Sequence, residues 1–422
     1  MENQDEINSI IEGTCRTMCP EKEMILREKE HLLHPFETRL TDNLGQGLQK
    51  RSVADYSKMV KEFSRPAAGR ADTEPNCLRP APVLQQTVEY LFTSIVPKTH
   101  PAWNIVYEFV FDRLRAVRQD MVIQGITGTD AICLLEQIVR FHLYAAYRLR
   151  ESRISEFDPV INKHHLLECL KRLLYLYQVT PGHHSNRVEM EAVYLLDNLG
   201  DVHAMSHYLE LEKNLRRSPL LLMSYEMSRA FVLGNYLHVL RLMWNLPCAM
   251  CLCAVSKHLF LIQINLLEIL NTAFSVKNCK FPLLNLTKLL HTSSDKETLD
   301  LCLQCGLVDM FDNTALDCIC FNKTSFSKPK ELKGVSQLCP LEKILKTINV
   351  QDLLLGPSYS VVSHCTNNSN VTDSAGLKVL TDNTQKMTIM DNPDKMARHA
   401  TVNNAIRCIG RGRGISRKFS NS

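Results

Sequence analysis

From Pro82 to about Ser275, apolar side chains return every three or four positions, and this constrains the chain more than any other feature. Leu84, Val88, Leu91 and Ile95 share one helical face. Val106, Val110, Leu114, Val117 and Met121 share a second. Leu135, Ile138, His142, Ala145 and Leu149 follow, then Leu166, Leu170, Leu173 and Tyr177. The pattern continues through "VEMEAVYLLDNLG", "PLLLMSYEMSRAFVLGNYLHVLRLMWNLP" and "KHLFLIQINLLEILNTAFS". Turn signals, "VPKTHPAW", "GITGTD", "EFDPV" and "VTPGHHSN", separate the runs. Gly200 and Gly234 stand where a helix ends in a left-handed cap. A stripe repeated this way cannot bury itself on one helix and must pack against the next. The expectation is a mainly α fold over residues 82–276, an α-solenoid-like array of antiparallel helix pairs whose units no longer align as a strict repeat.

The flanks differ. Residues 1–12 read as a flexible start, and residues 13–81 as a helix followed by an extended connector. Pro20 suits a first helical position, Glu21 and Glu23 complement the helix dipole, and Ile25, Leu32 and Phe36 make a narrow seam. Pro66, Pro75, Pro80 and Pro82 give the connector a wrapping character. Residues 277–330 change pattern. "FPLLNLTKLLH" is a short helix. "SSDKETLDLCLQCGL" carries a cap, an apolar face at Leu299, Leu303 and Leu307, and Gly306 near its end. "VDMFDNTALDCICFNKTSF" predicts a hairpin turning at Asp312–Asn313. Helix, helix, hairpin is the order of a winged-helix module. A short helical segment over 331–355 and a polar, disordered basic tail over 356–422 complete the chain.

The net charge of +4 neither demands nor excludes an anionic partner. No uninterrupted run of eighteen apolar residues occurs, so no membrane span is expected. The acidic start "MENQDEINSIIEG" lacks the marks of a signal peptide, and the expectation is a protein of the cytosol or nucleus. In such a reducing compartment, the sixteen cysteines are expected as thiols, most of them small core residues like Cys133, Cys169, Cys251 and Cys302.

"DRLRAVRQD" raises the question of a nucleic-acid grip. At 100° per residue from Val106, the seam of its helix spans about 20° to 80°, Arg115 falls near 180°, Arg118 near 120° and Arg113 near 340°. The arginines fan out, whereas a phosphate-tracking surface gathers cations on one face. Arg113, Asp120 and Gln124 share the seam's edge, which predicts a partly buried charge-assisted network to a neighbouring helix. On this phasing Leu114→Asp unfolds the array, and Arg115→Glu leaves folding alone.

Chemistry-bearing motifs are sparse. Cys15 and Cys19, and the Cys302/Cys305 pair, lack four converging ligands, and core thiols are the expected reading. His203 and His207 have i, i+4 spacing but no glutamate after the first histidine. No phosphate-cradling loop, serine elbow or kinase signature is present, so no catalytic residue, cofactor or metal is expected. Lys323, Lys328 and Lys330, with Lys333 beyond, are candidate nucleic-acid contacts at the wing, though pairing with another subunit is the favoured reading of the wing. The acid-free tail, with Lys395, Arg398, Arg407, Arg411, Arg413, Arg417 and Lys418, suits weak RNA binding or simple solubility.

Several blocks resemble one family. "GTCRTMCPEKEMILREKE", with Met18, Cys19 and Pro20, resembles the opening signature of the SAC/GANP/THP family. "DYSKMVKEFSRPAAG" and "LRPAPVLQQTVEYLF" resemble its next blocks, "FVFDRLRAVRQDMVIQG" its central helix, and "FVLGNYLHVLRLM" its Gly234-Asn235-Tyr236 helix. The resemblance implies PCI-like helical repeats ending in a winged helix, and a scaffold without catalysis. For large members it implies mRNA export at the nuclear pore, beside a second PCI protein and a small acidic peptide, with paired winged helices on nucleic acid. The blocks have little chain on either side, most similar to the small animal member of the family. That similarity implies centrosome duplication, spindle assembly and mitosis among centrosomal proteins, at the centrosome, the spindle and in the cytoplasm, with the nucleus as the alternative.

Overall fold

The structure, a computed structural model, describes residues 11–41, 51–65, 74–276, 279–307, 317–329 and 338–357. It opens with helix α1 (Glu21–Lys29) and a short antiparallel pair, β1 (Thr38–Thr41) with β2 (Arg51–Ala54), in which Thr38 faces Ala54. The array follows: α2 (Ala81–Tyr90), α3 (Trp103–Ile123), α4 (Gly128–Arg148), α5 (Pro159–Val179), α6 (Arg187–Asp197), α7 (Val202–Glu210), α8 (Lys213–Arg216), α9 (Pro219–Val232), α10 (Tyr236–Trp244), α11 (Ala249–Ser256) and α12 (Leu259–Phe274). Beyond it lie β3 (Phe281–Pro282), α13 (Leu283–Leu290), α14 (Asp295–Gln304), β4 (Cys318–Ile319), α15 (Cys339–Thr347) and α16 (Val350–Leu355).

The helical seams sit where their spacing puts them. Val106, Val110, Leu114, Val117 and Met121 are all buried, as are Leu84, Val88, Leu91 and Ile95. α2 runs into a wider π-turn over Leu91–Ile95, which keeps Leu91, Phe92 and Ile95 inward. α4 is buried around most of its circumference, because α2, α5, α11 and α16 all pack on it. Gly200 and Gly234 both hold left-handed backbone, φ +78° and +72°. At Gly234 the Asn235 amide donates to the Ala230 carbonyl (2.9 Å) and the Gly234 amide to that of Phe231 (3.0 Å), a Schellman cap. The Asn235 side chain then caps α10 by accepting from the His238 amide at 3.2 Å. Gly234-Asn235 is thus a hinge-free corner between two packed helices.

Four expectations need correction. In α1 the buried positions are Met24 and Arg27, while Ile25 and Leu32 are exposed and only Phe36 packs inward. The helix stops at Lys29, so Leu32 and Phe36 never join its face. Pro20 precedes the helix as its cap residue and is not its first residue. In α14 the inward side is Thr298, Leu301, Cys302 and Cys305; Leu299 and Leu303 are half-buried and only Leu307 of the expected face is buried. A polar threonine fits inside because the Thr298 hydroxyl donates to the Ser294 carbonyl (3.2 Å) and lies 2.9 Å from the Thr287 hydroxyl. Finally, the connector contains the β1–β2 pair. The turn at Asp312–Asn313 falls outside the described residues, and β4 pairs with β3, ahead of α13, with Phe281 opposite Ile319. The described elements of this region therefore run strand, helix, helix, strand, with no hairpin among its described residues. The tail from residue 358 onward lies outside the described residues.

α11 and α12 are the most apolar pair, bent by 60° where they meet, and both are largely buried. Among the described residues no single helix is long and apolar enough to cross a membrane.

Where the array is polar inside, the polarity is satisfied. His142 of α4 is buried, with Nδ1 2.8 Å from the Asn162 Oδ1 of α5, while Asn162 Nδ2 donates to the His142 carbonyl at 3.0 Å. Burial pushes the His142 imidazole down to about 3 from its ordinary 6.5. Across that window the unfolded chain holds a proton that the folded chain refuses, so stability falls as pH falls. His142 is expected to contribute a slope of about 1.4 kcal/mol per pH unit below pH 6.5. Urea midpoints measured from pH 7 to 5 check this, and His142→Gln should flatten the curve.

Candidate functional site

The residues singled out in the opening segment and in α3 meet at one place. The segment around Gly13 lies along residues 75–78: the Thr14 amide donates to the Pro75 carbonyl (2.7 Å) and the Cys15 amide to that of Leu78 (3.0 Å). Gly13 is required there, since a Cβ would stand 2.4 Å from the Leu78 carbonyl oxygen and 2.7 Å from Gln124 Oε1. Met18 offers its carbonyl to the Lys61 amide (3.0 Å) and to Arg79 Nη1 (3.2 Å). Cys19 is fully buried in a small satellite core with Met24 and Met59, and burial pushes its thiol up, so it is an inert apolar group.

Two buried ion clusters join this segment to α3. In the first, Glu37, fully buried, takes Arg27 on one carboxylate oxygen and Arg113 Nη2 on the other (3.2 Å). Arg113 also reaches Glu62 (2.8 Å) and Asp112 (2.7 Å), and its guanidinium lies 4.4 Å from the Phe109 ring centre. In the second, Asp120, also fully buried, accepts from Lys61 Nζ and from Arg79 Nε, each at 2.7 Å. Gln124 extends it: its Nε2 donates to the Arg79 carbonyl (2.8 Å) and its Oε1 accepts from the Gly13 amide (2.9 Å). Arg113, Asp120 and Gln124 are seven and eleven residues apart, intervals that return a helix to nearly the same face. Their partners come from the opening segment and connector, not from a neighbouring helix of the array as the spacing suggested. Sequence spacing fixes which face of α3 is polar; it holds no signal for Lys61, Glu37 and Arg79, which lie 59, 76 and 41 residues from their partners.

Arg115 and Arg118 are placed otherwise. Arg115 is half-buried, 3.7 Å from the centre of the Phe63 ring in the connector, so the expected solvated position is corrected: the connector crosses over that face. Arg118 donates from Nη1 to His165 Nδ1 (2.9 Å) and pairs with Glu168 (2.5 Å), both on α5. Arg115→Glu is therefore expected to destabilise by about 1–2 kcal/mol, through loss of the cation–π contact, instead of being silent. Thermal melting checks it, and a midpoint equal to that of the parent protein would remove the stack from the account.

The remaining sites fall apart as a group. Gly234 and Asn235 are the corner described above, and Tyr236 packs edge-on against Phe231 at 5.7 Å. Lys328 pairs with Glu268 of α12 (2.8 Å) and donates to Asn265 (3.0 Å), so its charge is already engaged. Lys323 is exposed, with its backbone amide on Ser275, and Lys330 lies outside the described residues. Cys302 and Cys305 are buried, with thiols pushed up to about 12 and about 11. His207 bonds Glu191 (2.7 Å), whereas His203 is exposed. Among the described residues no three metal-ligating side chains converge. A cleft of about 470 Å³, lined mainly by apolar groups between the α4–α5 turn and α11–α12, contains none of these residues.

What Arg113, Asp120 and Gln124 build, then, is a clasp: they fasten an N-terminal segment to the array by buried polar and charged contacts. The sequence profile described as the SAC3/GANP family matches residues 18–309, from Met18 through the end of α14. Protein xmas of Drosophila melanogaster is 28% identical over 51% of this chain and 10% of its own length. SAC3 family protein 1 of Schizosaccharomyces pombe is 27% identical over 83% of this chain and 35% of its own length. SAC3 family protein B of Arabidopsis thaliana is 30% identical over 57% and 14% respectively. The chain thus spans between 10% and 35% of the length of these relatives. With the profile covering well over half of its residues, the chain belongs to the SAC3/GANP family.

Proposed function

We propose that this protein is a non-catalytic scaffold that docks other proteins along its helical array and through its strand–helix–helix–strand module. The observation that carries this reading is the fate of two signature residues: Arg113 is spent on buried Glu37 and Asp120 on Lys61 and Arg79, pairs that hold two segments together. Reactive groups are also quenched, because burial keeps the Cys19, Cys302 and Cys305 thiols protonated at neutral pH.

The setting we favour is the centrosome and spindle in dividing cells, with centrosomal proteins as partners; it rests on resemblance to the small member of the family. The second reading is an mRNA-export subunit in the nucleus, beside a second PCI protein and a small acidic chain. Its support is membership of a family whose matched relatives are much longer proteins. Direct RNA contact through the module draws little support from Lys328, which α12 neutralises. Affinity capture of the tagged full chain from dividing cells separates the readings. Recovery of centrosomal proteins supports the first, and recovery of a second PCI protein with a small acidic chain supports the second. Turnover of a substrate by the purified chain would refute the scaffold.

A further inference from the structure

Arg113 is consumed by Glu37, Glu62 and Asp112, and Arg118 is held by Glu168 and His165, which leaves Arg115. Arg115 and Arg118 line a surface pocket of about 360 Å³ with Phe63, Gln119, His165 and Glu168. Among the described residues Arg115 has no hydrogen-bond or ion-pair partner; its guanidinium stacks on Phe63 with its N–H edge unspent. Phe63 is itself fixed, since its amide donates to Asp112 Oδ2 at 3.2 Å. Two residues on, Arg65 is exposed and near enough to Arg115 to repel it, and Arg172 of α5 stands beside Arg118. Burial first, and this crowding of like charge second, hold Arg115 and Arg172 below the ordinary arginine value. The neighbouring acids are Asp112, already paired with Arg113, and Glu168 on Arg118. Since Arg118 donates to His165 Nδ1, the opposite ring nitrogen carries the proton and is a further donor.

We propose that this pocket docks a phosphorylated serine or threonine side chain of a partner protein, with Arg115 as the bidentate reader and Arg65 and Arg118 beside it. A phosphoryl group brings about two negative charges and three acceptor oxygens to a single point, and a stacked guanidinium is pre-oriented for it. Glu168, whose side chain is 56% exposed, holds Arg118 in the empty pocket and is the group that phosphate replaces. A nucleic-acid backbone asks for cations repeated along a track. Here Arg115 and Arg118 line one pocket, with Arg65 near Arg115 and Arg172 near Arg118; exposed Val122 also lines it, and α5 shows exposed Tyr175 and Val179. The inference goes beyond the scaffold reading and stands even if the partners named there are wrong.

The test uses the purified full chain and degenerate peptide libraries with a central phosphoserine or a central serine, and a single-stranded oligouridylate as the polyanion control. The phosphoserine library should bind about tenfold tighter than the serine library, and Arg115→Lys, which keeps the charge but loses the fork, should remove most of that preference. Arg65→Glu, at an exposed position with no described partner, should weaken binding similarly with an unchanged melting temperature. Equal binding of both libraries overturns the proposal. So does a preference untouched by both variants, or oligouridylate binding that depends on Arg65 and Arg115 while the phosphoserine library fails to bind.

Discussion

Replacing Asp120 with alanine is expected to lower the unfolding free energy by about 3–5 kcal/mol, because it strands two buried cations. Lys61 and Arg79 each place a charged nitrogen 2.7 Å from this carboxylate, and both side chains are almost wholly out of water. Lys61 keeps one other contact, to the Cys77 carbonyl at 2.7 Å, and Arg79 keeps the Met18 carbonyl at 3.2 Å. Neither carbonyl neutralises a charge. The opening segment should therefore loosen before the array does, since Gly13 hangs on Gln124, one turn beyond Asp120. Urea unfolding followed by circular dichroism measures the loss. A second variant sharpens the result: replacing Asp120, Lys61 and Arg79 together with Leu, Met and Met should recover much of it, as apolar groups of similar volume need no partner. A loss under about 1 kcal/mol for Asp120→Ala means that water reaches the cluster and the buried-charge account is wrong.

Leu114→Asp should abolish cooperative folding of the array. Leu114 is 1% exposed in the seam between Val110 and Val117. Removing a buried leucine side chain costs about 2–5 kcal/mol, and an unpaired carboxylate in the same space adds several more, a sum comparable to the whole stability of a typical domain. Loss of the thermal transition, with exposure of apolar surface to a dye, is the expected readout. A normal melting curve for Leu114→Asp would mean that α3 is turned by a third of a revolution from the description above.

Local pattern reveals different parts of this molecule unequally. The seams of α2 to α5 are legible because each needs only one helical period and a buried neighbour. Left-handed Gly200 and Gly234 are legible because few other residues adopt that backbone cheaply. α1 misleads: its apolar residues Ile25 and Leu26 face water, while a charged residue, Arg27, is buried because Glu37 awaits it ten positions later. No periodicity shows a carboxylate hidden in a connector. α14 misleads for the related reason that Thr298 is inside, its hydroxyl satisfied by neighbours. The polar face of α3 was readable from Arg113, Asp120 and Gln124, but its partners were not, since a spacing within one helix is silent about what crosses it.

The clasp also bears on how the chain is made. Translation delivers Gly13, Arg27 and Glu37 well before it delivers Arg113 and Gln124, with 111 positions separating Gly13 from Gln124. At elongation rates of about 5–20 residues per second, the opening segment waits roughly 6 to 22 seconds for its partners, with its ions hydrated and its mates unmade. Nascent chains arrested before α3 emerges would thus expose this stretch to proteases and chaperones, and its acquisition of protection would time the arrival of α3 rather than its own synthesis.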